Sequence, residues 1–311
     1  CRGAHFCAGI GDDSFGREYL SYLRGHGIDV GLVKTFSDCA TGVALITVAA
    51  DGQNAITVAP GANMMLSESD MEGIDFSKFS HVLFQLENDL ATVARGLKLA
   101  REAGCETVLT PAPAKILPGE MLPDIDYIVP NEIEILQIVP ECEDAEAAAQ
   151  KLISSGVRNV IVTLGKRGCD LYNGGGKRHF PTYEKIRPVD TVGAGDCFTG
   201  SFAAGLKVRG SLEGAIELAT AAASISGVFI PPPRRGKSQR ILCGFPAHRG
   251  RGFYKSIAYF ARGLNQFGLV LHRPFQFASA RAYLISLAAL RAYAVEQQNE
   301  PRRNALYFLY Y

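Results

Sequence analysis

Val189-Asp190-Thr191-Val192-Gly193-Ala194-Gly195-Asp196 is the stretch on which the reading of this chain turns. Gly193 and Gly195 flank Ala194, so side chains are minimal just where helical spacing begins, with Phe198, Phe202 and Leu206 four residues apart. Successive backbone N–H groups at a helix start form an anion site, reinforced by the helix dipole. Asp196 falls in the first turn of that helix, where a carboxylate beside a bound phosphate can take a proton from an attacking hydroxyl. The same residues also read as a glycine-rich turn capped by an acidic side chain. Neither G-x-x-x-x-G-K-[ST] nor G-x-G-x-x-G occurs here, so the two best-known glycine loops for nucleotides are excluded.

Working outward, residues 1–227 alternate between apolar runs and amphipathic stretches. Strands are expected at His5–Gly9, Val30–Lys34, His81–Leu86, Glu106–Leu109, Asp126–Val129 and Asn159–Leu164. Helices are expected at Gly16–Gly25, Leu90–Ala103, Glu132–Ile138, Ala145–Ser155, Phe198–Val208 and Leu212–Gly227. Asn159–Leu164 is almost wholly apolar, as suits a strand covered on both faces. The pattern predicts an α/β fold: a three-layer α/β/α arrangement around a mostly parallel sheet. Two hairpins interrupt it. Cys169–Tyr172 and Lys177–Phe180 surround Asn173-Gly174-Gly175-Gly176, and Thr41–Ala49 and Ala55–Ala59 surround Asp51-Gly52. The second hairpin is expected to leave the main layer as a small β lobe.

Composition bounds the function classes. The 311 residues, 47% hydrophobic and 20% charged, suffice for a large globular core. Apolar runs are too short and broken to span a membrane. The eight cysteines form no C-x-x-C pair and no zinc-type cluster, which points to buried thiols and a cytoplasmic location. Net charge is only +1. Residues 228–311 nevertheless hold 13 Lys+Arg against 2 Asp+Glu, leaving 19 basic and 29 acidic residues in 1–227.

Val189–Gly200 resembles the second signature of the ribokinase-like (PfkB) carbohydrate kinases. The likeness covers most of residues 4–227 through motifs in the family's order: Gly11-Asp12-Asp13-Ser14-Phe15-Gly16, Thr41-Gly42-Val43-Ala44, Gly61-Ala62-Asn63, Gln85-Leu86-Glu87, Pro111-Ala112-Pro113-Ala114, Pro130-Asn131-Glu132-Ile133-Glu134 and Thr163-Leu164-Gly165-Lys166-Arg167-Gly168. The resemblance implies ATP-dependent phosphorylation of a sugar primary hydroxyl, with D-ribose giving D-ribose 5-phosphate, and another family sugar or nucleoside as the alternative. It makes Asp196 the base, Gly193, Ala194 and Gly195 the anion hole, and Glu87 and Asp196 the sugar ligands. Asn131, Thr163, Gly165 and Gly168 would hold ATP. Glu134 would act on Mg2+ through water, and Asp190 with the Val192 carbonyl would hold K+. It also makes the 41–59 hairpin a lid through which the full-length form would be a homodimer. Plainer readings stay open: Asn131 with Glu134 as a helix cap, Thr163–Gly168 as a strand exit, and Asp190 as an Asx turn.

Two departures qualify the likeness. The family's first strand and a glycine-rich sugar motif are expected before Cys1, which reads as a fragment boundary; an incomplete fragment acting only through interactions is thus a rival reading. After Gly227 the pattern is lost, and Pro231-Pro232-Pro233-Arg234-Arg235 breaks the helix. Residues 228–311 are therefore expected to lie outside the kinase fold, as the product of a shifted frame or splice junction, with a genuine appended basic segment as the rival reading. The expected partners are the sugar and ATP, with neither nucleic acid nor membrane.

Overall fold

Short β-branched and aromatic runs bounded by Gly, Pro and Asp set the strands, and each is followed by a stretch with an apolar face. The computed structural model describes residues 3–48, 54–182, 193–226 and 304–308. Strand β1 (Ala4–Gly11) leads to helix α1 (Ser14–Gly25), then β2 (Asp29–Phe36), β3 (Val43–Val48) and β4 (Asn54–Ala59). After α2 (Glu68–Glu72) come β5 (Phe79–Phe84), α3 (Leu90–Glu102), β6 (Glu106–Leu109) and β7 (Tyr127–Ile128). Helices α4 (Glu132–Ile138) and α5 (Ala145–Ser154) precede β8 (Asn159–Thr163), β9 (Cys169–Asn173) and β10 (Gly176–Phe180). Helices α6 (Ala194–Arg209) and α7 (Leu212–Ser226) follow, and β11 (Asn304–Phe308) comes last.

Caps explain several helix starts. The Asp13 carboxylate accepts from the Gly16 N–H at 2.8 Å, Asp89 from Ala91 and Thr92, and Asp144 from Ala147. Each such cap satisfies donors that have no acceptor inside the helix and contributes about 1 kcal/mol.

The main sheet has nine strands in the order β10-β9-β8-β7-β6-β5-β11-β1-β2. From β2 to β8 every pairing is parallel, and β9 and β10 close the far side antiparallel. Alternation along the strands divides the core in two. Val82, Phe84, Leu109, Val160 and Val162 face one cluster with Leu97 of α3, Ile135 of α4 and Leu152 of α5. Leu83, Val108 and Ile161 face the other, with Leu23 of α1, Phe198 and Phe202 of α6, and Ile216 of α7. The period of two in the strands and the apolar faces of the helices thus produce the expected three layers. Full burial of one such Leu or Phe contributes about 1.5–3 kcal/mol.

The early hairpin stands apart, as expected. β3 and β4 form their own two-stranded sheet, in register from Val43↔Ala59 to Val48↔Asn54. Its Asp51-Gly52 turn lies outside the described residues, as does Ser279–Val295, where the spacing of Leu284, Leu287 and Leu290 suits a helix. One expectation needs correction. Residues 304–308, read as part of a segment outside the fold, form β11 and lie between β1 and β5. Leu306 pairs with His5 on one side and Val82 on the other. Among the described residues of the main sheet, β11 is the link between the β1–β2 pair and the β5–β10 block.

The amino edge of the sheet is fixed by a buried charge. Asp126 is 1% exposed, pairs with Arg101 and Arg158, and accepts hydrogen bonds from Arg101, the Thr107 N–H and the Thr107 hydroxyl. Removing one partner of such a cluster costs about 3–5 kcal/mol. The opposite, carboxyl edge is where the chemistry gathers.

Candidate active site

Parallel neighbours deliver consecutive loops to the same edge, so residues far apart in sequence converge where strands end. β5 exits into Gln85-Leu86-Glu87, β6 into Thr110, β7 into Pro130-Asn131, and β8 ends at Thr163. The chain also pairs Asn131 with Thr163 in an isolated parallel bridge, and the Thr163 N–H donates to Pro130 O at 2.9 Å. Helix α6 is anchored over this edge by a 3.0 Å hydrogen bond between the hydroxyls of Thr199 and Thr110.

Gly193 is the residue before α6 and has φ 75°, a left-handed conformation that disfavours any other side chain. The Cys197 N–H is bonded to Gly193 O at 3.0 Å. The N–H groups of Ala194, Gly195 and Asp196 therefore lie in the turn where no intrahelical acceptor exists. A Cβ added at Gly195 would meet nothing within 4 Å among the described residues, and Gly195 is exposed among them. Helix α6 begins four residues before the expected Phe198, because the small residues Ala194 and Gly195 already belong to it.

Three carboxyls share this place. Burial pushes the Asp196 carboxyl up to about 6, with Glu134 adding repulsion. Burial also pushes Glu87 up to about 7, with Asp196 adding repulsion and Lys115 opposing it. Glu134 is raised too, mainly by burial, against a stabilising bond from the Asn131 N–H. The electrostatic coupling joins the exit of β5, the start of α4 and the start of α6. Glu87 Oε2 is buried with no hydrogen-bond partner among the described residues. A buried acceptor left unpaired costs free energy, and a ligand hydroxyl, a water or an ion would satisfy it.

Asn131 and Glu134 form the helix cap that the plainer reading of the sequence allowed. The Asn131 side chain accepts from Ile133 and Glu134, while Glu134 Oε2 accepts from the Asn131 N–H at 2.8 Å. That box engages one oxygen of Glu134. Gly165 lies exposed in a 3₁₀ turn, whereas Gly168 has a packing reason to lack a side chain. A Cβ there would stand 2.0 Å from Phe180 O, at φ +98°. Asp190 and Val192 lie outside the described residues. The fold therefore brings Glu87, Asn131, Glu134, Thr163 and the start of α6 to one edge.

Sequence reading gave no role to Asn88, Thr110 or Lys115, although all three adjoin this edge. Lys115 donates to Asn88 O at 3.4 Å. The run Gln85–Asp89, polar apart from Leu86 and directly after an apolar strand, was the available signal. An open depression of about 470 Å³ lined by Glu132, Gln150, Arg167, Tyr172 and Lys177 contains none of the three carboxyls, so the site is located by chemistry rather than concavity.

Residues 2–226 match the family described as pfkB family carbohydrate kinase. The chain belongs to that family. This pfkB-family kinase is 36% identical over 227 residues to the ribokinase of Haemophilus influenzae, covering 71% of this chain and 74% of that one. It is 35% identical over 227 residues to the deoxyribokinase of Salmonella typhi, covering 70% and 74%. Among solved structures it resembles the Arabidopsis thaliana ribokinase complexed with ribose and ATP, with TM-score 0.65, 30% identity, and coverage of 72% and 75%. The kinase class and the ribokinase-like fold are thereby established. No helix among the described residues is long and apolar enough to cross a membrane.

Proposed function

We propose that this chain transfers the γ-phosphate of ATP to the primary hydroxyl of D-ribose, releasing ADP and D-ribose 5-phosphate. The observation that carries the reading is the coupled pair of Asp196, at the open start of α6, and Glu87, with its orphaned buried oxygen. The similarity to a ribokinase solved with ribose and ATP supports it.

In this reading Glu87 accepts hydrogen bonds from ring hydroxyls and orients the sugar. Asp196 accepts the proton of the primary hydroxyl as its oxygen forms a bond to the γ-phosphorus and the bond to the ADP oxygen breaks. The N–H groups at Gly193, Ala194 and Gly195 face charge growing on the transferred group, where fixed donors are most effective. Asn131, Thr163, Gly165 and Gly168 would lie along ATP.

Among the described residues there is no cluster of metal-ligating side chains. Mg2+ keeps several of its waters and binds through substrate phosphates and one or two carboxylates. Glu134 fits this role, since the capping box uses only one of its oxygens. The ion would supply charge neutralisation on the phosphates. K+ at Asp190 and Val192 rests on the sequence resemblance alone.

The test is ADP release by the purified chain with ATP and D-ribose or 2-deoxy-D-ribose, and 31P NMR of the product. A phosphomonoester on the primary carbon of ribose, formed with the higher kcat/KM, is expected. Preference for 2-deoxyribose, the reading favoured by the Salmonella typhi relative, would replace ribose as substrate. No turnover of either sugar would overturn the proposal in favour of another acceptor or an inactive chain.

A further inference from the structure

Each residue of the loop carrying Glu87 is tied down, and the ties lead to the root of the hairpin β3–β4. The Glu87 N–H donates to Gln85 Oε1, and the Leu86 N–H donates to Ala112 O at 3.0 Å. Gln85 Nε2 donates to Asn88 Oδ1 at 3.0 Å, and both side chains are buried. Asn88 Nδ2 donates in turn to Asn63 O at 3.0 Å. Asn63 itself is buried, and its Oδ1 accepts from the Gly9 N–H of β1 at 3.1 Å. Asn63 lies four residues after Ala59, the end of β4. The Asn88 carbonyl accepts from Lys115, the cation that opposes the upward shift of Glu87.

The amide side chains of Gln85 and Asn88 thus form a relay that links the Glu87 backbone to the Asn63 carbonyl at the hairpin root, and the Asn63 side chain ties that residue to β1. Buried amides are retained at a penalty unless their hydrogen bonds are complete, and here each finds a partner. The relay ends beside Glu87, whose Oε2 is orphaned. We propose that Asn88 is a positioning residue that fixes Glu87 for the sugar and ties it to the hairpin root through Asn63. This rests on the proposed sugar-kinase reading for Glu87's role, while the tie itself stands on the hydrogen bonds. Asn88 touches no reacting atom. It acts by holding the Gln85–Glu87 turn in one conformation, so its loss should weaken sugar orientation and leave ATP binding alone.

Two measurements decide it. First, hydrogen exchange on the full chain without ligands should show faster exchange at 61–65 and at 85–87 in Asn88→Ala, with β8 and α5 unchanged. Unchanged exchange at 61–65 would overturn the tie, whatever the substrate. Second, with the pentose that the wild-type chain turns over best, Asn88→Ala should raise the sugar KM about ten- to hundredfold and leave the ATP KM within about twofold. In a Glu87→Gln background the same substitution should add little, because Asn88 acts through Glu87. Equal rises in both KM values, or a full additional effect in that background, would overturn the positioning role. If no pentose is turned over, the proposed function fails separately, and the exchange result alone decides the tie.

Discussion

Glu87 and Asp196 both bind a proton more tightly in the folded chain than in the unfolded one, where carboxyls titrate near 4. Between about pH 4 and 7 folding therefore takes up protons, and stability falls as pH rises through that window. Glu87→Gln removes one of these buried charges. It should raise Tm at pH 7.5 by an amount equivalent to roughly 1–3 kcal/mol, and the gain should vanish near pH 4. Differential scanning fluorimetry across pH reads this directly, and a gain independent of pH would contradict it. Asp196→Asn keeps the shape of the side chain and loses the base. Its kcat should fall about 10²–10⁴-fold while calorimetric ATP affinity holds. Wild-type kcat/KM should rise with pH through about 6 and then level, and the variant should lose that limb. A kcat close to wild type would leave the turn as an anion cradle only. These acids were legible in the sequence because each follows an apolar strand or opens a helix. Asn63 and Asn88 were not legible as a pair, because 25 residues separate partners that meet only in the fold.

Strands and helices were the most readable level. The expected Glu106–Leu109 strand is found with those bounds, the helix expected to start over Glu132–Ile138 is α4, and the Thr41–Ala59 hairpin stands in its own sheet. Periodicity and caps determine such elements locally, so the sequence carries them. Glycines were harder to read, since the same residue can serve a ligand or a packing contact. The structure separates the two cases. Gly195→Ala, where a Cβ meets nothing within 4 Å among the described residues, should leave Tm unchanged or raised by up to the equivalent of about 1 kcal/mol through helix propensity. It should lower kcat by intruding where a phosphate would approach. Gly168→Ala, aimed at Phe180 O, should lower stability by roughly 1–3 kcal/mol. Thermal melts with paired kinetics check both. A Gly195→Ala enzyme with wild-type kinetics would remove the case for its backbone as a phosphate contact.

Across the whole molecule, the sequence misled about residues 304–308. Nothing local in Asn304-Ala305-Leu306-Tyr307-Phe308 states which strands it joins, because its place depends on a gap between β1 and β5 that only the assembled sheet presents. Leu306→Pro would remove an N–H from a strand paired on both sides and should destabilise the chain by about 3 kcal/mol or more. Unchanged urea unfolding would show that the strand is dispensable. Dimerisation of the full-length form through the hairpin remains a proposal, supported by Leu45 at 67% and Val58 at 44% exposure on a sheet that has two strands among the described residues. Leu45→Lys should shift a dimer of the full-length form toward monomer in sedimentation velocity, and a monomeric full-length form would refute it. The position of β11 also has a consequence during translation. Ser226 and Asn304 are separated by residues 227–303, which take the ribosome roughly 4–15 s to add at about 5–20 residues per second. Throughout that interval β11 is not yet available, so the pairing that joins the β1–β2 pair to the β5–β10 block of the described sheet is made late in synthesis.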